Sequence, residues 1–143
     1  MSTIEVGQVL SLKIRYNNSG LTSNVKHPYL VVDVDDTLDV VEIAQVDSLA
    51  GKEYKAARRS NKVLYYNDPV ETVIDRDSYI QMDNRFRVEN CPELEGFRRQ
   101  TDKLSHEKLQ DVLRAYRRYQ DSYDIDDDKN VYMTKAEILS LNR

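Results

Sequence analysis

At 143 residues with 40% hydrophobic content, the chain has material for one modest core and not for two. A net charge of −4 argues against binding nucleic acid by bulk charge, and a single cysteine, Cys91, excludes an internal disulfide. With neither a basic-plus-apolar leader nor a long apolar run, a cytoplasmic protein without membrane contact is expected.

Apolar residues at Leu10, Leu12, Ile14 and Tyr16 alternate with polar ones, which predicts a first strand within 6–16. Asn17 to Lys26 is rich in turn formers and forms the loop that follows it. Tyr29 to Val34 is a β-branched run suited to a buried strand, Asp35-Asp36-Thr37 turns the chain, and Leu38 to Val46 is the next strand. Ser48 to Ser60 reads as a short helix or a basic loop, with the loop preferred. Short strands are expected at 63–66 and 71–74, around the turn Asn67-Asp68-Pro69. From Asp77 to Glu89 the alternation has period two, with Tyr79, Gln81, Asp83 and Arg85 on one face and Ile80, Met82, Asn84 and Phe86 on the other. Asn90-Cys91-Pro92 ends the sheet region, and Cys91 is read as a structural thiol.

Leu109, Val112, Leu113 and Tyr116 recur at helical spacing behind Ser105, a plausible N-cap, and predict a helix over about 105–120. Many short strands and one late helix suggest a mainly β domain, a small, strongly bent antiparallel sheet or barrel over residues 1–120. The ten tyrosines suit sheet margins and interaction surfaces alike.

Charge is unevenly placed. Residues 121–143 hold six acids against three bases and so carry −3 of the total, leaving −1 for residues 1–120. Within the body, Lys52, Lys55, Arg58, Arg59 and Lys62 form a basic segment, either a solvated face or a phosphate-binding one. The acidic segment reads as a solvated linker before a short helix capped by Thr134-Lys135-Ala136-Glu137. Asp126, Asp128, Asn130, Tyr132, Thr134 and Glu137 also fall at the spacing of a calcium loop, but Val131 stands where such a loop needs glycine. No metal or cofactor is expected.

Five features stand in order: Gly7-Gln8-Val9, the Lys26-His27-Pro28 turn before Tyr29-Leu30-Val31-Val32, the end of the third strand at Ala44-Gln45-Val46-Asp47-Ser48, the stretch 77–89, and Leu104 to Leu113. Over about residues 4–119 this order resembles the PemK/MazF toxin family. The resemblance implies a small SH3-like antiparallel β-barrel with a C-terminal α-helix. It further implies a homodimeric, metal-independent endoribonuclease of a toxin–antitoxin or mobile-element system, which cuts single-stranded RNA and is neutralised by an acidic protein antitoxin.

The family carries an arginine before the proline that opens strand two, where this chain has His27, and a Thr-Ser pair at the end of strand three, where it has Asp47-Ser48. Histidine moves protons near neutral pH but lacks arginine's fixed charge, while a carboxylate can serve as base or orient His27 yet repels phosphate. The resemblance therefore makes His27, Asp47 and Ser48 the catalytic candidates. Lys26, Arg85 and Arg87 are candidates for holding phosphates, and Tyr16 and Tyr29 for stacking bases. An acidic segment bearing Tyr123, Ile125, Tyr132 and Met133 would be placed to cover an RNA groove in cis. The alternative function is a catalytically inactive module of the same fold that binds nucleic acid or a protein partner.

Overall fold

The computed structural model describes residues 4–66, 73–99 and 102–143. Seven strands form one sheet: β1 (Val9–Leu12), β2 (His27–Asp35), β3 (Val40–Ser48), β4 (Asn61–Leu64), β5 (Ser78–Gln81), β6 (Arg85–Glu89) and β7 (Asn130–Met133). The helices are α1 (Glu53–Ala56), α2 (His106–Ser122) and α3 (Lys135–Leu141), with 3-10 turns at Pro92–Phe97 and Asp127–Lys129. The chain is thus mainly β. Strand order runs β1-β2-β3-β5-β4, while β6 pairs with β3 and with β7. Every pairing is antiparallel except β6 with β7.

Strand β3 organises the sheet because one of its edges serves two partners. Its first half pairs with β6 (Val41 opposite Val88, Ile43 opposite Phe86), and its last three residues pair with β5 (Asp47 opposite Tyr79). This corrects the reading of 77–89 as one regular strand. Tyr79 and Phe86 stand opposite β3 residues four apart, hence on one face, although their own parity separates them. The chain breaks at Met82–Asn84 and the phase slips there, so Ile80 and Met82 join one core while Phe86 and Val88 join the other.

The two cores lie on opposite faces. On one, Leu109, Val112, Leu113 and Tyr116 of α2 cover Leu30, Val32, Ala44 and Val46, as their helical spacing requires. Gly7 permits this docking. Its φ is +98°, and a Cβ there would lie 2.8 Å from Leu109 Cδ2. On the other face, Leu12, Ile14, Val31, Ile43 and Phe86 pack with Leu94, Val131, Met133 and Ile138.

That second core shortens the expected solvated linker after residue 120: residues 121–130 are exposed or part-exposed, and burial begins at Val131. Val131, Met133 and Ile138 are all 0% exposed. The expected short helix is present as α3, with the Thr134 hydroxyl accepting from the Glu137 amide. Arg15 clasps this segment through Nε to Glu137 Oε2 at 2.7 Å and through Nη2 to the Tyr132 carbonyl at 2.9 Å. A part-exposed ion pair contributes about 0–1 kcal/mol, whereas each buried apolar side chain contributes about 1.5–3, so burial decides the docking. The calcium-loop spacing is likewise consumed, since Asn130–Met133 is extended strand and Glu137 is paired with Arg15.

Other boundaries differ locally. The first strand is confined to Val9–Leu12, with one further bridge between Arg15 and Thr22. The preferred basic loop contains helix α1. Val73 and Ile74 are buried but outside any strand, and the rest of the strand expected at 71–74 lies outside the described residues. No helix among the described residues is long and apolar enough to cross a membrane.

Candidate functional site

The site forms where β2 and β3 part. Their ladder is paired as far as Tyr29 opposite Gln45. Beyond that pair, each strand is held by its outer neighbour: His27 and Pro28 by Leu12 and Ser11 of β1, and Val46 to Ser48 by β5. The gap left between the two strand ends is a cleft of about 300 Å³. His27 and Pro28 line one wall and Val46, Asp47 and Ser48 the other. Lys52 enters from the β3–α1 connection, Arg76 from the segment before β5, and Arg99 from the chain after the 3-10 turn. Arg99 is brought there because its amide donates to the Val9 carbonyl, extending the sheet past β1.

His27 and Asp47 each stand two residues past the Tyr29–Gln45 pair, so the pleat puts them on the same face. The Asp47 carboxylate accepts from Gln81 Nε2 at 2.5 Å and from Gln45 Nε2 at 3.2 Å. Both donors are neutral, so the carboxylate is oriented while its charge is left uncompensated by them. Tyr79, opposite Asp47, has its hydroxyl pushed up by burial and then by the Asp47 charge, and stays protonated. The Tyr16 ring lies 6.4 Å from that of His27. Asp75 is held below the usual carboxylate range by its hydrogen bond with Arg76, whose Nε lies 2.9 Å away, so the pair adds little net charge to the rim.

All three catalytic candidates, His27, Asp47 and Ser48, thus line one cleft, with Tyr16 beside His27. The remaining candidates are placed elsewhere. Tyr29 is 0% exposed with its ring edge-on to Phe86, which leaves no face for a base and corrects that expectation. Lys26 is turned toward Phe97, its Nζ 5.8 Å from the ring. Arg85 and Arg87 sit opposite the other end of β3, where Arg85 Nε lies 3.4 Å from Glu42 Oε1 and Arg87 donates to Asn130 Oδ1. They border a different hollow, shared with Asp33, Asp35 and Glu42, and do not reach the cleft.

No residue of 121–143 lines the cleft. Tyr132 and Met133 belong to β7, paired with β6, so the segment does not lie over the strand ends as the covering-in-cis reading requires. Sequence reasoning missed Arg76 and Arg99, which are isolated in the chain and carry no local signal. It also missed Gln45 and Gln81, whose role depends on cross-strand register. Lys52 was visible as the first residue of the basic segment. No family, curated protein or solved structure matches the chain.

Proposed function

We propose that this chain is a toxin-like endoribonuclease of the PemK/MazF kind, built on an SH3-like barrel and cutting single-stranded RNA without a metal ion. The observation that carries the reading is the meeting of His27, Asp47 and Ser48 with two cationic side chains, Lys52 and Arg99, in one open cleft whose rim also holds the Asp75–Arg76 pair. Those are the parts needed for attack of a ribose 2′-oxygen on its own phosphate. A base takes the 2′-OH proton, the new P–O2′ bond forms as the P–O5′ bond breaks, and an acid returns a proton to the leaving 5′-oxygen. The products are a 2′,3′-cyclic phosphate and a free 5′-OH.

His27 is the proton-moving group, because imidazole is the side chain that both accepts and donates near neutral pH. Asp47, fixed by two amides, orients His27 or shares the base role. Ser48 donates to a phosphoryl oxygen. Lys52 and Arg99 offset the charge that gathers on the phosphorus oxygens, doing together what the family's arginine does alone. The partners of this reading are a second copy of the chain and an acidic protein antitoxin in a toxin–antitoxin or mobile-element system, its carboxylates competing with RNA for the same cations.

One observation favours the second reading, a binding module of the same fold that does not cut. The Asp47 carboxylate already accepts two side-chain bonds while facing the space a phosphate would occupy. Incubation of purified protein in EDTA with a long single-stranded RNA separates the two. Discrete cuts ending in 2′,3′-cyclic phosphate, lost in His27→Ala, support the nuclease. Intact RNA that is nonetheless bound supports the module.

A further inference from the structure

A second, smaller hollow of about 160 Å³ continues from the cleft and shares Asp47 and Lys52 with it. Lys55 and Arg58, on and just after α1, border it together with Asn61 and Asp83. Beyond Arg58 the surface turns aromatic. The Arg59 guanidinium lies 5.8 Å from the centre of the Tyr123 ring and donates to its hydroxyl at 2.8 Å. Tyr119 and Tyr123, four apart across the end of α2, stack with centroids 4.7 Å apart and planes inclined 31°. Tyr123 remains 39% exposed and Tyr54, on α1, 66% exposed. The chain itself joins the two: Arg58 borders the hollow, and its neighbour Arg59 holds Tyr123.

The geometry points to this strip as a subsite for the single-stranded RNA that runs out of the cleft, with phosphates along Lys52, Lys55 and Arg58 and a base laid on the Tyr123–Tyr119 stack. The inference rests on the RNA-binding part of the proposed function and not on its cleavage step. Two features suit an unpaired strand, and a third favours binding of any ligand there. Lys52, Lys55 and Arg58 border one small hollow that adjoins the cleft, where a single backbone can meet all three. The Tyr123 ring keeps part of its surface open beside Tyr119 and Arg59, and that surface is usable only by a base whose own face is free; in a duplex those faces are buried in the stack. Arg59 holds Tyr123 by both its charge and its hydrogen bond, so the platform is ordered before any ligand arrives and little side-chain freedom is lost on binding.

The test uses full-length His27→Ala protein, which cannot consume its ligand by the proposed route, and a labelled single-stranded RNA decamer followed by fluorescence anisotropy over a salt series. Tyr123→Leu is expected to weaken decamer binding about tenfold, the size of one lost base stack, while Tyr123→Phe, which keeps the ring, stays within about twofold. The Lys55→Gln, Arg58→Gln double variant should lower the slope of log affinity against log salt by about 1.4, two single-strand phosphate contacts. Arg114→Gln, exposed on α2 and lining neither the cleft nor the hollow, serves as control. A Tyr123→Leu protein that binds like its parent, an unchanged salt slope in the double variant, or equal affinity for duplex RNA would each overturn the subsite. Decamer bound in this pattern but left intact by wild type removes the cleavage step and keeps the subsite. Decamer cut by wild type with no effect of these variants does the reverse.

Discussion

The two ends of β3 each carry a carboxylate, and the sheet treats them in opposite ways. Glu42, at the β6 end, is 8% exposed. It accepts from the Tyr116 hydroxyl at 2.6 Å and faces the Arg85 guanidinium, so its charge is consumed in joining α2 to the sheet. Asp47, at the β5 end, is half-exposed, is oriented by two uncharged amides with the Tyr79 hydroxyl beside them, has no guanidinium among these partners, and lines a gap opposite His27. A carboxylate answered by hydroxyl and guanidinium in a dry setting is a structural bolt. One answered by amides at an opening keeps its charge for whatever enters.

The contrast can be broken at either end. The largest effect is expected from His27→Ala, which should lower RNA cleavage at least ~100-fold, the usual worth of a proton-transfer group. Its melting temperature should stay within about 2 °C of wild type, since His27 is only half-buried. At the other end, Tyr116→Phe leaves buried Glu42 short of a donor and should cost about 1–3 kcal/mol in urea unfolding, with cleavage by the remaining folded protein unchanged.

Alkaline pH probes the same bolt. Burial, followed by the nearby Glu42 charge, pushes the Tyr116 hydroxyl far above its ordinary value, and burial does the same at Tyr29. Their folded-state ionisation thus lies above that of the unfolded chain. Their contribution is fully present below about pH 10, where unfolded tyrosine begins to ionise, and is lost as pH rises further, by at most about 1.4 kcal/mol per unit and per group. Urea midpoints should fall above that pH, and less steeply in Tyr116→Phe. The smallest effect is expected from Asp47→Asn. Removing one negative charge from the cleft should tighten RNA binding about fivefold at low salt, even as cleavage falls, and should change stability by less than about 1 kcal/mol. Tightened binding with undiminished cleavage would assign the base role to His27 alone.

How much of this was legible in the chain depended on whether the deciding contact was local. Helix α2 could be read because Leu109, Val112, Leu113 and Tyr116 announce their face by spacing alone, and it runs to Ser122, two residues past its expected end. The meeting of His27 with Asp47 and Ser48 was anticipated only through resemblance. Sequence alone could not place Arg76 or Arg99 beside them, because the divergence of β2 from β3 is a product of outer pairings made with β1 and β5. The phase slip at Met82–Asn84 was invisible for a similar reason: the alternation of residue types continues through it, and only the change of register along β3 reveals it. The acidic segment misled most, since the charges of Asp124 and Asp126–Asp128 dominate its composition while Val131, Met133 and Ile138 determine its place.

That placement has a consequence for the order in which the protein is made. The site is assembled from residues 27 to 99, and α2 follows by Ser122, so a chain still leaving the ribosome has emitted every cleft residue before the second core is complete. The floor of that core comes only with Ile138, and its clasp joins Arg15 to Glu137, partners 122 positions apart. Contacts of such long reach close late and set the pace of folding. During synthesis there is accordingly an interval in which the cleft residues exist without the finished sheet, and it closes when β7 and α3 have followed them.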